Sequence, residues 1–425
     1  MSNESLRNTP PETSLHVNLI RVLGIHITRP SFLHNLTANV FNATTTKEVL
    51  QQVKQVGVQL ARQNIFQDIE LYLDTSREGS DRVDMTVLLK EKEKGFLKSQ
   101  VDVNHNQAEL SAGLGIRNIF GGGESVYSSF SFGNYTHAAA ETLIETPLFQ
   151  MANVKLGILV NGFIKDHSQI NAFEEATRSL DAHLKGWNRL GEHQIGYVIA
   201  ERDIVPYHDA SPTVRARSGS HFKHSVYHKF VRDERNDTLL PTQGHYFRLF
   251  QEVAGLKDQG DISYVKHEMD ASYHQPLTQS VSLSTSVRAG VLTHVSKTLC
   301  LLDRFYLGGP LSVRGFKMGG IGERDENDAV GGEAYWAAGA SLISAIPGFS
   351  HLPIKMHAFA NAGSLVTKTS KTNELAQTPR ASIGLGLILH HSIARIEANY
   401  CIPLRYSTSD SPEPKFQFGI GLNFL

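Results

Sequence analysis

From Gly95 to the carboxyl terminus, apolar and polar residues alternate with a period of two in segment after segment. This period places successive side chains on opposite faces of a β-strand. In residues 280–291 one face is mostly apolar and the other is small or polar. The first holds Val281, Leu283, Thr285, Val287, Ala289 and Val291, and the second holds Ser282, Ser284, Ser286, Arg288 and Gly290. One face therefore suits lipid and the other suits water.

The alternation predicts sixteen strands, with about 21 residues for each strand and its connection. Strands of roughly 9–11 residues suffice to cross a membrane, and a sheet in lipid has to close into a barrel because an open edge leaves main-chain groups unpartnered. A soluble β-sandwich also alternates and remains an alternative, whereas the repeated motif of a propeller is not visible. The predicted strands begin near Gly95, Ala108, Glu124, His137, Asn153, Ile170, Glu192, His221, His245, Ile262, Ser280, Ala334, Lys355, Arg380, Ala394 and Lys415.

The composition excludes several other classes of protein. The 41 Lys and Arg residues balance 42 Asp and Glu residues, so the chain lacks the basic excess of a protein that binds nucleic acid. No apolar run approaches the roughly 18 residues that a membrane-spanning helix needs. The two cysteines, Cys300 and Cys401, are too few for a disulfide framework or a cysteine-built zinc site.

The chain before the barrel divides into a tail and a small domain. Residues 1–14 are polar and carry neither a secretory nor a transit pattern. Residues 15–93 are expected to form a separate α+β domain, and residues 94–425 the barrel. We therefore predict an N-terminal α+β domain followed by a transmembrane antiparallel β-barrel of sixteen strands.

The small domain has a recognisable order of elements. An apolar strand at 15–25 precedes a first helix at 30–41, and a second helix follows in which apolar residues recur at three- to four-residue spacing. Two alternating runs separated by the turn at 78–80 then predict a hairpin. The order β-α-α-β-β resembles a polypeptide-transport-associated (POTRA) domain, with an unrelated small α+β domain as the alternative.

Other motifs predict no catalytic or metal site. The glycines at 121–123 lack the Lys-Ser/Thr of a phosphate-binding loop, so we interpret them as a hairpin turn. His221, His224 and His228 lie on one predicted strand, where 221 and 224 point to opposite faces, and we expect no zinc. No nucleophile elbow, metalloprotease motif or paired-carboxylate arrangement stands out, so we predict neither an enzyme nor a cofactor.

Four segments together resemble the outer-membrane barrel-assembly superfamily. The first is Asp-Arg-Phe-Tyr-Leu-Gly-Gly-Pro-Leu-Ser-Val-Arg-Gly-Phe at 303–316, and the others are residues 331–336, 394–403 and 416–425. Within that superfamily the chain resembles the barrel subunits of the mitochondrial sorting and assembly machinery, in their animal form. The resemblance covers nearly the whole chain.

The resemblance implies that a long loop, residues 301–333, folds back into the barrel. The tip of this loop, here called the latch tip, matches the superfamily's apolar-Arg-Gly-aromatic motif at Val313, Arg314, Gly315 and Phe316. An arginine inside a barrel needs acceptors for its five donors, and the adjacent glycine lets the backbone approach the wall. Glu333 is the acidic acceptor that we expect for Arg314. The family often has an aspartate where this chain has Asn361, so that pairing should be weaker.

The resemblance also assigns the last strand. Gln417, Gly419, Leu422 and Phe424 match the sorting signal of mitochondrial barrel precursors, which works by strand addition. Gly419 and Gly421 weaken packing in this strand, so it is expected to open from the first barrel strand as a lateral gate.

The expected function is insertion of β-barrel precursors into the mitochondrial outer membrane, with the POTRA-like domain in the intermembrane space. A passive pore or polypeptide channel of the same architecture is the alternative. The resemblance implies barrel precursors, membrane lipid and metaxin-like subunits as partners, and the cristae-organising complex as a further one. A scaffolding role could coexist with insertion.

Overall fold

The computed structural model describes most of the chain. The described residues are 14–79, 81–104, 107–148, 153–255, 260–294, 299–348, 353–369, 373–377, 379–390, 395–413 and 416–421. Contacts divide the chain into two compact units, the first of which joins the segment up to Leu97 with residues 114–127 and 143–157.

The first unit contains a three-stranded sheet and two helices. Its sheet has the order β1-β3-β2, in which β1 is parallel to β3 and β2 is antiparallel to it. Buried apolar residues of the second helix, including Val56 and Leu60, pack against Met85 and Val87 of the sheet. The elements are β1 (His16–Leu23), α1 (Pro30–Thr37), α2 (Thr46–Arg62), β2 (Phe66–Thr75) and β3 (Arg82–Glu91).

The order β-α-α-β-β is confirmed, and two details refine it. The first helix ends at Thr37 and continues as a 3-10 helix over Ala38–Asn42, so it is a shorter α-helix than the sequence predicted. The Thr45 side chain caps α2 by accepting the Glu48 N–H, and the Glu48 carboxylate accepts the Thr44 N–H in return. This reciprocal capping explains why α2 begins where it does.

Within the first unit, one carboxylate organises the segment that leads into α1. Glu91 accepts main-chain N–H groups of His26, Ile27 and Thr28, together with the Thr28 hydroxyl. Burial by itself would raise the pKa of Glu91, but these hydrogen bonds outweigh burial and lower it. The Asn118 amide also donates to the Thr28 hydroxyl at 2.8 Å.

The larger sheet has sixteen antiparallel strands, as predicted, and each predicted start lies within three residues of the observed one. The strands are β4 (Gly95–Asn104), β5 (Gln107–Arg117), β6 (Ser125–Gly133), β7 (Thr136–Pro147), β8 (Val154–Asp166), β9 (Phe173–Trp187), β10 (Glu192–Pro206), β11 (Gly219–Asp233), β12 (Gly244–Ala254), β13 (Tyr264–Pro276), β14 (Val281–His294), β17 (Ala334–Ala345), β18 (Ile354–Val366), β19 (Arg380–His390), β20 (Arg395–Arg405) and β21 (Phe416–Gly421).

The remaining elements are short and lie in connections. They are β15 (Arg324–Asp325), β16 (Asp328–Ala329), α3 (Pro212–Arg215), α4 (Glu374–Gln377) and a 3-10 helix at Leu301–Asp303. The predicted turn at 121–123 lies in the connection between β5 and β6, where Gly121 and Gly123 have φ of +83° and +82°. Nowhere in the described ranges does a helix combine the length and the apolar character needed to cross a membrane.

The two faces of the large sheet differ as the alternation predicts. On β14, Ser282 and Ser286 are buried while Val287 and Val291 are exposed. We call the face that meets residues 301–333 the inner face and the opposite one the outer face. The strand order begins at β4 and ends at β21, and among the described residues no pairing joins these two strands.

Candidate functional site

Residues 301–333 form a loop that is buried against the inner face of the sheet. Its apolar side chains Leu301, Leu307, Val313 and Phe316 are at most 1% exposed and belong to one hydrophobic cluster with strand residues. The loop therefore folds back into the sheet, as the resemblance implied. Charged residues near its start and at its tip fix its position at two places.

Asp303 anchors the start of the loop to the middle of the sheet. Its carboxylate accepts hydrogen bonds from the Arg202 guanidinium and the Tyr264 hydroxyl, both at 2.9 Å, and lies 3.6 Å from the Lys223 ammonium. Glu252 binds the same Lys223 at 2.6 Å. Burial alone would raise the pKa of Asp303, but Lys223 and Arg202 outweigh burial and hold it below its ordinary value.

Arg314 anchors the latch tip near the last strands. Its side chain is fully buried. One guanidinium nitrogen donates to Asn361 Oδ1 on β18 at 3.1 Å, and the other donates to Glu397 Oε2 on β20 at 3.0 Å. The guanidinium carbon lies 4.7 Å from the centre of the Phe359 ring, within the range of a cation–π contact. The planar fork of arginine thus meets two strands and an aromatic ring.

Glu397 is the acidic centre of the tip site. Besides Arg314 it binds Arg395 on its own strand, and the Asn399 amide donates to Glu397 at 2.8 Å. Its partner in register on β21 is Gly419. Directly opposed residues have Cβ atoms about 5 Å apart, so a glycine there leaves space beside the carboxylate. The buried Glu397 carboxylate thus binds two guanidinium groups, those of Arg314 and Arg395.

The rest of the latch tip binds the last strand through its main chain. Gly315 has φ of +84°, and an added Cβ would lie 3.2 Å from Ser382 Cβ, so the position favours glycine. The Gly315 N–H donates to Gln417 Oε1, and Gln417 Nε2 donates to the Phe316 carbonyl, both at 2.9 Å. The Gln417 amide thus pairs with one main-chain donor and one main-chain acceptor of the latch tip.

The connection between β20 and β21 follows the same loop. The Glu413 N–H donates to the Gly315 carbonyl, and the Ser411 N–H donates to the Gly320 carbonyl, both at 2.7 Å. Beside these bonds, Phe316 forms an isolated β-bridge with Pro412. The loop therefore contacts the last hairpin by several main-chain hydrogen bonds rather than by Arg314 alone.

The expectation that Glu333 accepts from Arg314 is wrong. Glu333 binds Arg304 at 3.2 Å and accepts the Thr369 N–H at 2.9 Å. Glu333 directly precedes β17 and lies beside the first residues of the loop, whereas the tip reaches β18 and the strands after it. Glu397 supplies the negative charge in its place, and Asn361 accepts a hydrogen bond from Arg314, the pairing that the resemblance implied.

The residues of the terminal strand lie on two faces. Gln417 and Gly419 are buried on the inner face, whereas Phe416 and Phe418 are 68% and 65% exposed on the outer face. Gly421 pairs in register with Arg395. The other two signal positions, Leu422 and Phe424, lie outside the described residues.

The histidines singled out from the sequence do not converge. His221 bonds to the Arg217 carbonyl, His224 lies 2.8 Å from the Tyr197 hydroxyl, and His228 lies 3.1 Å from the ring of His193. Across the part of the chain that the structure describes, no three His, Cys, Asp or Glu side chains are grouped to hold a metal ion.

Comparison with known proteins places this geometry in a family. The Omp85 superfamily domain matches residues 118–424. The chain therefore belongs to the Omp85 superfamily. Curated relatives carry a more specific name, "sorting and assembly machinery component 50 homolog". A form from Xenopus laevis is 32% identical over 96% of this chain and 90% of its own length.

Further comparisons agree with this assignment. The Homo sapiens homolog is 30% identical over 95% of this chain and 89% of its own length, and a "SAM50-like protein" of Schizosaccharomyces pombe is 31% identical over 96% and 90%. Among solved structures, BamA from Haemophilus ducreyi lacking POTRA domains 1–3 superposes with a TM-score of 0.75 at 19% identity. That match covers 96% of this chain and 85% of the other, and it shows a shared fold.

Proposed function

We propose that the protein inserts and folds β-barrel precursors in the mitochondrial outer membrane. The names of its relatives describe sorting and assembly, and the sixteen-stranded sheet is the kind of structure that such precursors form. The work consists of strand pairing, so no covalent step, nucleotide or cofactor enters the proposal.

The observation that carries the proposal is the relation between the end strands and the latch tip. β4 and β21, here called the gate strands, end the strand order without pairing to each other in the described residues. An unpaired strand edge offers main-chain donors and acceptors to another strand. An incoming precursor strand would pair with such an edge, so that its own main chain stays satisfied as it enters lipid.

In this proposal the latch tip controls the gate strand β21. Arg314 binds β18 and β20, while Gln417 of β21 binds the main chain at Gly315 and Phe316. Release of the tip would break the hydrogen bonds that hold Gln417 of β21, and return of the tip would re-form them. The terminal strand would also act as the protein's own sorting signal.

The placement and partners of the protein belong to the same proposal. The POTRA-like domain would face the intermembrane space and receive precursors there. Metaxin-like subunits and the cristae-organising complex are proposed as partners from the family resemblance alone. The competing function is a passive pore, in which the buried loop would gate passage of solute or polypeptide.

Crosslinking tests the proposal directly. A barrel precursor arrested during assembly would be exposed to variants with single cysteines along β4 or β21. A matched control carries a cysteine at Val226 on the outer face of β11, in the middle of the sheet. We expect disulfides to the precursor's last strand at the gate strands and none at Val226. Equal crosslinking at all positions would contradict insertion between the gate strands and favour the pore.

A further inference from the structure

The outer face of the large sheet carries a hollow of about 300 Å³ across β6 to β10. Small residues on three neighbouring strands form its floor, because none of them fills the space above the sheet. Two larger apolar side chains, both exposed, stand beside the floor. The floor consists of Ala138, Ala140, Gly162 and Ala176, and the larger residues are Phe130 and Ile164.

Three charged residues border the hollow, and they lie on the outer face. Arg178 is 85% exposed at its side chain and pairs in register with Glu201, which is 49% exposed. Asp203 lies two residues beyond Glu201 on the same strand and therefore on the same face. The residue between them, Arg202, points the other way and binds Asp303 of the loop.

The charged row marks a boundary on the outer face. Two residues further along each strand on the same face, Leu180 pairs in register with Ile199, so the neighbouring row is apolar. β9 and β10 have 15 residues each, more than the roughly 9–11 that cross the hydrocarbon, so their ends extend beyond it. Arg178 and Glu201 border this apolar row, and we infer that they lie at the depth of lipid headgroups.

The charges at this boundary leave room for a ligand. The nearest atoms of Arg178 and Glu201 are 3.8 Å apart, longer than a hydrogen bond, and both groups are exposed. Such a pair contributes little by itself. The guanidinium suits a phosphate, and the two carboxylates at Glu201 and Asp203 suit a primary ammonium group.

We propose that this hollow binds one phospholipid with a zwitterionic headgroup that carries a primary amine. The phosphate lies on Arg178, the ammonium lies between Glu201 and Asp203 above the alanine and glycine floor, and the acyl chains run over the apolar row of Leu180 and Ile199. Two carboxylates disfavour an anionic headgroup by repulsion. A quaternary ammonium has no N–H to donate, so phosphatidylcholine should bind less well than phosphatidylethanolamine.

Native mass spectrometry of the full chain in detergent tests this site. The protein would be mixed with phosphatidylethanolamine, phosphatidylcholine or phosphatidylglycerol, and the retained lipids counted. Ala176→Leu fills the floor and Arg178→Gln removes the phosphate ligand. Ala360→Leu makes the same change at an exposed outer position of β18, and Arg232→Gln removes an exposed arginine of β11.

We expect one retained phosphatidylethanolamine per wild-type chain, with retention about tenfold lower in both hollow variants and unchanged in both controls. Heat-modified gel mobility confirms that each variant is folded before lipid is added. Equal retention by wild type and Ala176→Leu would overturn the proposal and leave the hollow to a membrane-embedded partner. Retention of phosphatidylglycerol as strong as that of phosphatidylethanolamine would also overturn it. Neither result depends on precursor insertion.

Discussion

Asp303 and Arg314 are both fully buried charges of the same loop, but they bind different parts of the sheet. Asp303 is held by residues of β10, β11 and β13, which have paired neighbours on both sides. Arg314 is held by β18 and β20, and the residues beside it bind β21. One anchor lies in the middle of the sheet and the other at its end.

The different positions of the two anchors suggest different roles: Asp303 holds the loop, and the latch tip controls the proposed gate. In the proposed gate, strands in the middle of the sheet keep both neighbours, so the contacts of Asp303 would persist while the gate opens. The contacts of the latch tip involve β21, which separates in that proposal, so they would break and re-form. We therefore infer that Asp303 fixes the loop inside the sheet, whereas Arg314 and Gln417 couple the loop to β21.

The largest expected effect on precursor assembly comes from Arg314→Ala. Breaking a buried ion pair costs about 3–5 kcal/mol because a charge loses its partner, although Arg395 still binds Glu397 here. We expect the rate of precursor assembly, measured at equal protein level in mitochondria, to fall by about tenfold or more.

Arg314→Lys is the matched variant, since it keeps the charge but loses the planar fork that reaches two strands. Partial recovery of assembly is expected. A wild-type rate with Arg314→Ala would remove the latch tip from the mechanism.

A smaller effect is expected from Gln417→Met, which keeps the volume but removes the amide. The Gly315 N–H and the Phe316 carbonyl then lose their buried partner, at about 1–3 kcal/mol for each group. Precursor assembly should slow by several-fold, and β21 should exchange amide hydrogen faster. Phe418→Leu, on the outer face of the same strand, is the control. Equal rates for the two variants would show that the tip does not act through Gln417.

Asp303→Asn sharpens the comparison from the other side. It leaves Arg202 without its buried anion, whereas Lys223 keeps Glu252, so the heat stability of the purified protein should fall. Precursor assembly per folded molecule should stay close to wild type, because the tip contacts remain. A loss of assembly as large as that of Arg314→Ala would erase the distinction between the two anchors.

The smallest effect is expected at Glu91, far from either anchor in sequence. Glu91→Gln keeps an acceptor for the N–H groups of residues 26–28 but loses the charge, so stability should fall by about 1 kcal/mol. The pKa of Glu91 is lowered on folding, so its contribution is present above about pH 4.3 and is lost as pH falls through the folded value. Thermal unfolding of full-length wild type should therefore lose stability below pH 4.3, and the variant less so.

The sequence predicts the strands better than the partners of the loop. Period-two alternation and turn residues suffice for sixteen strand positions because both are local signals. The pairing of Arg314 with Glu397 spans 83 residues and depends on the register of four strands, which no local signal fixes. Glu333, the acceptor expected at the start of the next strand, is instead bound by Arg304.

A weak signal for Glu397 was nevertheless present. Arg395, Glu397 and Asn399 alternate with Ile396 and Ala398, so three polar residues share the inner face of one predicted strand. Polar residues on that face need partners inside the barrel. Asp303 gave no comparable signal, because it precedes the tip motif in a loop whose path the sequence does not specify.

The most direct test of the account is a disulfide between the gate strands. In a background without Cys300 and Cys401, cysteines at Val101 and Gly419 would be oxidised after the protein has inserted, and precursor assembly would be compared before and after reduction. The account predicts that the oxidised protein stays inserted, stops assembling precursors and recovers when the disulfide is reduced. Assembly by the fully crosslinked protein at the rate of its reduced form would contradict a gate between β4 and β21.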